Sequence, residues 1–119
     1  MSEDHAELEV AIVRWIDDEP QPGIVEFEFS DRFGRQWHFH EKQALVSNTW
    51  LGAGNIYPQP GSLRCRVLSQ SQDSEGRSIA EIDTSRPWHV ESIEEVIRFQ
   101  VFASQLLPEG PSSQDGSQD

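Results

Sequence analysis

The stretch that most constrains the fold is Ile24-Val25-Glu26-Phe27-Glu28-Phe29-Ser30, followed across Asp31-Arg32-Phe33-Gly34 by Arg35-Gln36-Trp37-His38-Phe39-His40-Glu41-Lys42. Both arms alternate between large apolar and polar side chains, the period of an extended chain whose successive residues point to opposite faces. If the apolar faces match across a hairpin, as burial requires, Phe27 and Phe29 come near Trp37 and Phe39. Glu26, Glu28, His38 and His40 then share the opposite, solvent-facing side. Gly34, able to take positive φ, suits a hairpin closed by a bulge. This hairpin is the expected core nucleus, with Trp37 packed against Phe27 or Phe29.

The rest of the chain reads as further short strands. Leu8 to Ile16 begins with alternation and then turns apolar on both faces; Asp17-Asp18-Glu19-Pro20-Gln21-Pro22-Gly23 is a loop, since its prolines cannot donate to a ladder. Residues 44–47 suggest a short strand or irregular crossover, Gly52-Ala53-Gly54-Asn55 a flexible break, and Tyr57-Pro58-Gln59-Pro60-Gly61 a turn. Leu63, Cys65 and Val67 alternate with Arg64 and Arg66, Ser69 to Ser78 is a polar hairpin loop, and Ile79 to Thr84 is its partner strand. The segment after Ser92 carries two patterns. Ser92 with Glu95 fits a helix-capping box and Val96, Phe99, Ala103 and Leu106 keep helical spacing, whereas Ile97, Phe99, Val101 and Ala103 keep strand spacing. Aromatic and β-branched residues crowd the segment, so a strand over 96–103 is expected. The reading is an all-β single barrel or sandwich of about six antiparallel strands: a frayed N-terminus over 1–6, a β domain over 7–107, and a disordered acidic tail over 108–119 rich in Pro, Gly, Ser, Gln and Asp.

The order of a long first strand, a Gly-closed hairpin, a Pro-Gly-led strand at 61–69 and a last aromatic strand, over residues 7–107, resembles the six-stranded barrel domains of translation elongation factor Tu. The resemblance implies a barrel of that kind. It implies no translation role, because the chain has no GTPase domain and no nucleotide motif.

Charge narrows the partners. The formal net charge is −12, and eight of the nine basic residues are Arg, Lys42 being the lone lysine. A nucleic-acid binder needs a basic footprint to release counterions, and no cluster here exceeds Arg32 with Arg35 or Arg64 with Arg66, so neither nucleic acid nor an anionic membrane is expected. A basic protein partner suits the charge. The N-terminus lacks a secretory signal and no apolar run reaches membrane-spanning length, which leads to an expected cytoplasmic location. The single cysteine, Cys65, rules out an intrachain disulfide and a cysteine-based zinc site; it reads as a small buried hydrophobe rather than a nucleophile.

No catalytic constellation emerges. The serines stand in no Gly-x-Ser-x-Gly elbow, Gly52-Ala53-Gly54 lacks the lysine of a phosphate loop, and the paired carboxylates Glu26/Glu28 and Glu81/Asp83 read as solvated. An enzyme is therefore not expected, nor a cofactor. Trp50, Tyr57 and Trp88 instead fall in irregular segments, and aromatics with Arg dominate interface hot spots. The candidate interaction residues are Trp50, Tyr57, Arg86, Trp88 and His89, and the expected function is a non-catalytic acidic interaction domain, in its most concrete form an immunity-type protein that neutralises a basic toxin. The alternative is a small metal-dependent barrel. His38-x-His40 resembles part of the cupin motif, which implies a ligand pair completed by a distant histidine, here His89; the motif's glutamate has no counterpart, since Ala44 and Leu45 stand at its place and Glu41 comes too early.

Overall fold

The first strand is the one every other part of the sheet depends on. In the computed structural model, which describes residues 4–108, β1 spans His5–Asp17. It is followed by β2 (Ile24–Ser30), β3 (Gln36–Lys42), β4 (Gln59–Gln72), β5 (Ser78–Asp83), β6 (Arg98–Phe102) and β7 (Leu106–Pro108), with 3-10 turns at Gln43–Leu45 and Ala103–Gln105. Along one edge, β1 pairs with β4 from His5↔Arg66 to Ile12↔Gln59. Its other edge is shared: β2 takes Ala11 to Asp17 and β7 takes Ala6 to Leu8. The antiparallel order is β3-β2-β1-β4-β5-β6, with β7 beside β1.

The inner face is lined by the alternating apolar residues, Leu8 and Ile12 on β1, Phe27 on β2, Phe39 on β3, Leu63 and Cys65 on β4, Ile82 on β5 and Val101 on β6, all fully buried. Sheet twist alone curls such a surface, and here the aromatic rings draw the curl tight. Phe99 on β6 meets Phe29, Trp37 and Phe39 edge-on at 5.1, 5.1 and 5.9 Å, while Phe27 stacks on Phe39 at 4.9 Å. The result is a half-barrel whose edge strands β3 and β6 are joined by rings and not by a backbone ladder among the described residues. Segment 84–97 fills that opening. Buried Thr84 fastens it: its hydroxyl donates to the Val90 carbonyl at 2.8 Å and the Ile97 carbonyl at 3.3 Å, and its amide donates to Ile97 O at 2.9 Å. Ile93 N–H then reaches His38 O on β3 at 2.9 Å.

Two of the hairpin turns are the same device. Asp31-Arg32-Phe33-Gly34-Arg35 and Asp73-Ser74-Glu75-Gly76-Arg77 both read Asp-x-x-Gly-Arg. In each, the aspartate Oδ1 accepts two backbone N–H groups at 2.9–3.0 Å, the aspartate N–H donates to the arginine carbonyl at 2.9 Å, and the glycine sits at φ +85° or +82°. The turn chemistry follows from a carboxylate that mimics the missing ladder partner and a glycine free to take positive φ.

The expected all-β class, the hairpin and its inward rings are all present, and the fold agrees with barrel-like architecture. Three boundaries are corrected. His5 and Ala6, expected to fray, are paired with Arg66 and Cys65, because β4 and β7 satisfy both edges of β1 there. Pro108, placed in the tail, pairs with Ala6; the remaining tail residues 109–119 and residues 1–3 lie outside the described residues. The third is β4, which takes in Gln59, Pro60 and Gly61, expected as part of a turn, and Ser69 to Gln72, expected as loop, because β1 and β5 pair them; residues 44–47 follow the irregular of their two expected courses, since Gln43 opens a 3-10 turn that closes on Val46 N–H→Gln43 O at 3.0 Å. The ambiguous segment does form a strand, with Phe99 and Val101 inward as strand spacing requires.

Candidate interaction surface

Outward-facing side chains of the sheet largely match their own charges. The register sets Glu7 opposite Arg64, and Arg66 opposite Asp83, which in turn stands opposite Arg98. On β2 and β3, Glu26 accepts from Arg14 Nε at 2.7 Å and lies 3.4 Å from His40 Nε2; His38 Nδ1 lies 3.2 Å from Glu26 and 3.3 Å from Glu28. Burial pushes the Glu26 carboxyl up, but the hydrogen bonds and charges of Arg14 and His40 outweigh it and hold the group below its ordinary value. His38 and His40 thus share one face, as expected, next to two carboxylates. His89 belongs to the segment that fills the half-barrel opening, where it adopts φ +59° and its N–H donates to Ser85 O at 2.8 Å. Among the described residues, no three His, Cys, Asp or Glu side chains form a group able to hold a metal ion. Cys65 is fully buried, its thiol 3.7 Å from Ala6 O, and burial, helped by Glu7 and Asp83, pushes its pKa up to about 12; at neutral pH it is not a nucleophile.

The surface that the sheet does not use up lies where β1 ends and β2 begins. Two loops meet there, the Asp17 to Gly23 turn and the segment 46–58. Their junction is the side chain of Gln43, only 2% exposed, whose Nε2 donates to Pro22 O and Leu51 O, each at 3.3 Å, and whose Oε1 accepts Leu51 N–H at 3.1 Å. An amide buried this deeply must be paired, and these three bonds tie both loops to one point. Further along, the Tyr57 hydroxyl donates to Gly52 O at 2.7 Å and Asn55 Oδ1 accepts Gly52 N–H at 2.9 Å, so the glycine-rich stretch is a bonded turn and not a floppy break.

On this braced loop Trp50 is 81% exposed and Ile56 84%. Residues 47–49 form a ridge between two hollows: one of about 300 Å³ bounded by Pro22, Gln43, Ala44 and Trp50, and a wider one of about 670 Å³ floored by Val10, Val46 and Pro60. Exposed Asp17, Asp18 and Glu19 occupy the neighbouring turn.

Of the expected interaction residues, Trp50 is thus presented to solvent, while Tyr57 packs partly against the core and braces the loop from behind. Trp88, Arg86 and His89 are exposed at a different place, on the segment that plugs the half-barrel, with Trp88 46% exposed. The five residues therefore stand on two separate segments, 50–57 and 86–89. Ile56, Phe33 and Ile93 are exposed apolar residues that sequence reasoning missed. Ile56 carried a signal, a lone branched residue between Gly52-Ala53-Gly54-Asn55 and Tyr57-Pro58, where no strand could bury it.

Fold and surface together define an all-β half-barrel with a braced aromatic loop beside an acidic turn. No family model, curated protein or solved structure matches the chain. Among the described residues, no helix is long and apolar enough to cross a membrane.

Proposed function

We propose that this protein is a non-catalytic interaction domain that holds a basic protein partner at the Trp50 loop. The observation that carries the reading is an indole and an isoleucine left almost wholly in water on a loop whose base is fixed by a buried, fully bonded glutamine. Exposing such side chains on a mobile loop would be wasteful, but on a braced one it lowers the ordering cost of association and marks a hot spot. The adjoining carboxylates and the net charge of −12 favour a basic partner over nucleic acid. In its most concrete form the domain is an immunity-type protein of the cytoplasm that covers and neutralises a basic toxin. The likeness in strand order to the barrel domains of elongation factor Tu concerns architecture alone.

The test compares wild-type protein with a Trp50→Ala/Ile56→Ser variant as baits in the native host extract. The reading requires a basic protein that binds the first bait stoichiometrically, is lost from the second, and is released at about 0.5 M salt, where screening shortens to a few ångströms. The immunity form further requires that this partner arrest growth when expressed alone and be silenced by co-expression. Identical binding to both baits would remove the Trp50 loop as the site.

A further inference from the structure

We infer that the hollow beside Trp50 is a receptor for an arginine side chain of the partner. The inference rests on the interaction reading above and names the group that the loop would grip.

Its first support is how this chain treats its other rings. Arg32 lies over Phe33 at 4.3 Å, Arg35 over Trp37 at 3.9 Å and Arg77 over Phe102 at 4.9 Å, so three aromatic faces carry a guanidinium from a neighbouring stretch of the same chain. Trp37 shows the complete arrangement, since Asp31 Oδ2 accepts its indole N–H at 2.9 Å while Arg35 stacks on the ring. Trp50 is the most exposed indole and bears no such cap among the described residues. A planar cation stacked on tryptophan is the strongest of the cation–π pairs, and guanidinium fits the flat face better than ammonium does.

The second support is the shape and charge beside the ring. The hollow between Trp50, Pro22, Gln43 and Ala44 measures about 300 Å³, room on the order of ten waters and thus for one long side chain. Its Pro22 wall belongs to the turn that carries Asp17, Asp18 and Glu19, all exposed. Asp18 already accepts the Trp15 indole at 2.8 Å, Asp17 accepts the Glu19 amide at 3.1 Å and Glu19 Oε2 accepts from Gln21 Nε2 at 3.5 Å, which holds the turn in shape and leaves the second oxygen of each carboxylate for a cation. Ring, hollow and the turn that bears the carboxylates are held in fixed relation because Gln43 bonds to Pro22 on one side and Leu51 on the other. An arginine entering here would lay its methylenes along Pro22 and Ala44, pass the polar Ser47, Asn48 and Thr49, and find a ring for its guanidinium, with carboxylates on the turn that Pro22 belongs to.

Four acetylated, amidated tripeptides, Gly-Arg-Gly, Gly-citrulline-Gly, Gly-Lys-Gly and Gly-Leu-Gly, are titrated into isotope-labelled protein while the Trp50 indole N–H and the Asn48 and Thr49 amides are followed by NMR. Trp50→Phe assigns the indole signal. The proposal expects saturable shifts with the arginine peptide, at least about fivefold weaker binding of the citrulline and lysine peptides, and a comparable loss on Asp17→Asn/Glu19→Gln, a difference of about 1 kcal/mol. Those two substitutions keep the acceptor oxygens that shape the turn, and an unchanged melting temperature verifies that they do. Citrulline binding as well as arginine, or no response at Trp50 to the arginine peptide, overturns the arginine receptor. Preference for the leucine peptide also overturns it while leaving an interaction loop in place; the loop itself falls only if the Trp50→Ala/Ile56→Ser bait described above retains the same partner.

Discussion

At the scale of single residues, neighbouring positions on β3 do opposite work. Trp37 is buried, faces Phe99 and donates its indole hydrogen to Asp31, whereas His38 lies on the outer face between two carboxylates. Trp37→Ala should therefore cost roughly 3–5 kcal/mol, a sizeable part of a total of about 5–15 kcal/mol, while His38→Ala should stay within about 1 kcal/mol; denaturant melts of the two variants check this. Equal and mild effects would mean that the faces of β3 are reversed. Glu41 offers a test of sign. Burial and the charge of Glu91 raise its pKa against the opposing influence of Lys42, so the folded state holds its proton more tightly than the unfolded chain does. Ionised Glu41 then works against folding, and Glu41→Gln should raise the melting temperature at pH 7 with the gain vanishing below about pH 4. Glu26 is opposite in sign: its pKa is lowered, so its contribution is complete above the ordinary carboxylate value of 4.5 and fades as pH falls through the folded value. Glu26→Gln should therefore be destabilising at pH 7, with the difference in melting temperature shrinking as pH falls through the folded value. The inward and outward sides of this strand were legible in the sequence because period-2 alternation is a purely local signal. That Arg14 joins the carboxylates and histidines of this face was not, since it depends on β1 lying beside β2.

Elements show the same division between local and distant information. The two Asp-x-x-Gly-Arg turns could be read residue by residue, and their shared chemistry was available in the chain itself, though no longer repeat surrounds it. Segment 92–103 was harder because its short-range signals conflict. The serine does not cap a helix but closes a turn like those of Asp31 and Asp73: Ser92 Oγ accepts the Val96 N–H at 3.1 Å, Ser92 N–H donates to Val96 O at 3.0 Å, Glu95 N–H donates to Ser92 O at 2.8 Å, and Glu95 takes φ +69°, which a helix does not allow. The turn goes no further, because β5 offers Arg98–Phe102 a complete ladder and the rings of β2 and β3 offer Phe99 a place to pack. Tertiary pairing overrides local propensity here. The fastening of segment 84–97 by Thr84 predicts that Thr84→Val, similar in shape but without the hydroxyl donor, will cost about 1–3 kcal/mol. It should also hasten cleavage by a glutamate-specific protease at exposed Glu91, Glu94 and Glu95. Unchanged cleavage would mean that the segment is held by something other than this hydroxyl. On the functional side, Trp50 was legible as an aromatic with no strand to bury it, whereas the brace beneath it was hidden, because a glutamine in an irregular stretch gives no sign that its amide will join Pro22 to Leu51.

For the whole molecule, the pattern of charge matters more than its sum. The sheet sets several acids against bases across adjacent strands, as at Glu7/Arg64 and Asp83/Arg66, while the connecting segments 17–19 and 91–95 carry clustered exposed carboxylates. Matched neighbours interact over a few ångströms and feel salt weakly, but repulsion among the loops acts over longer range and is screened within about 8–10 Å at physiological ionic strength. Raising sodium chloride from about 0.01 to 0.15 M should accordingly raise the melting temperature; a fall would place the net electrostatic stabilisation in the surface pairs instead. The sheet order has a further consequence, in the sequence of synthesis. β1 leaves the ribosome ahead of the other described strands, is followed directly by β2, and must wait for Gln59–Gln72 and then for Leu106–Pro108 before the edges of its first half are covered. Until then His5 to Val10 is an apolar strand with open backbone groups, the kind of edge that recruits chaperones or stray strands. The three residues of β7 are in this sense a clasp, the latest of the described strands closing on the earliest.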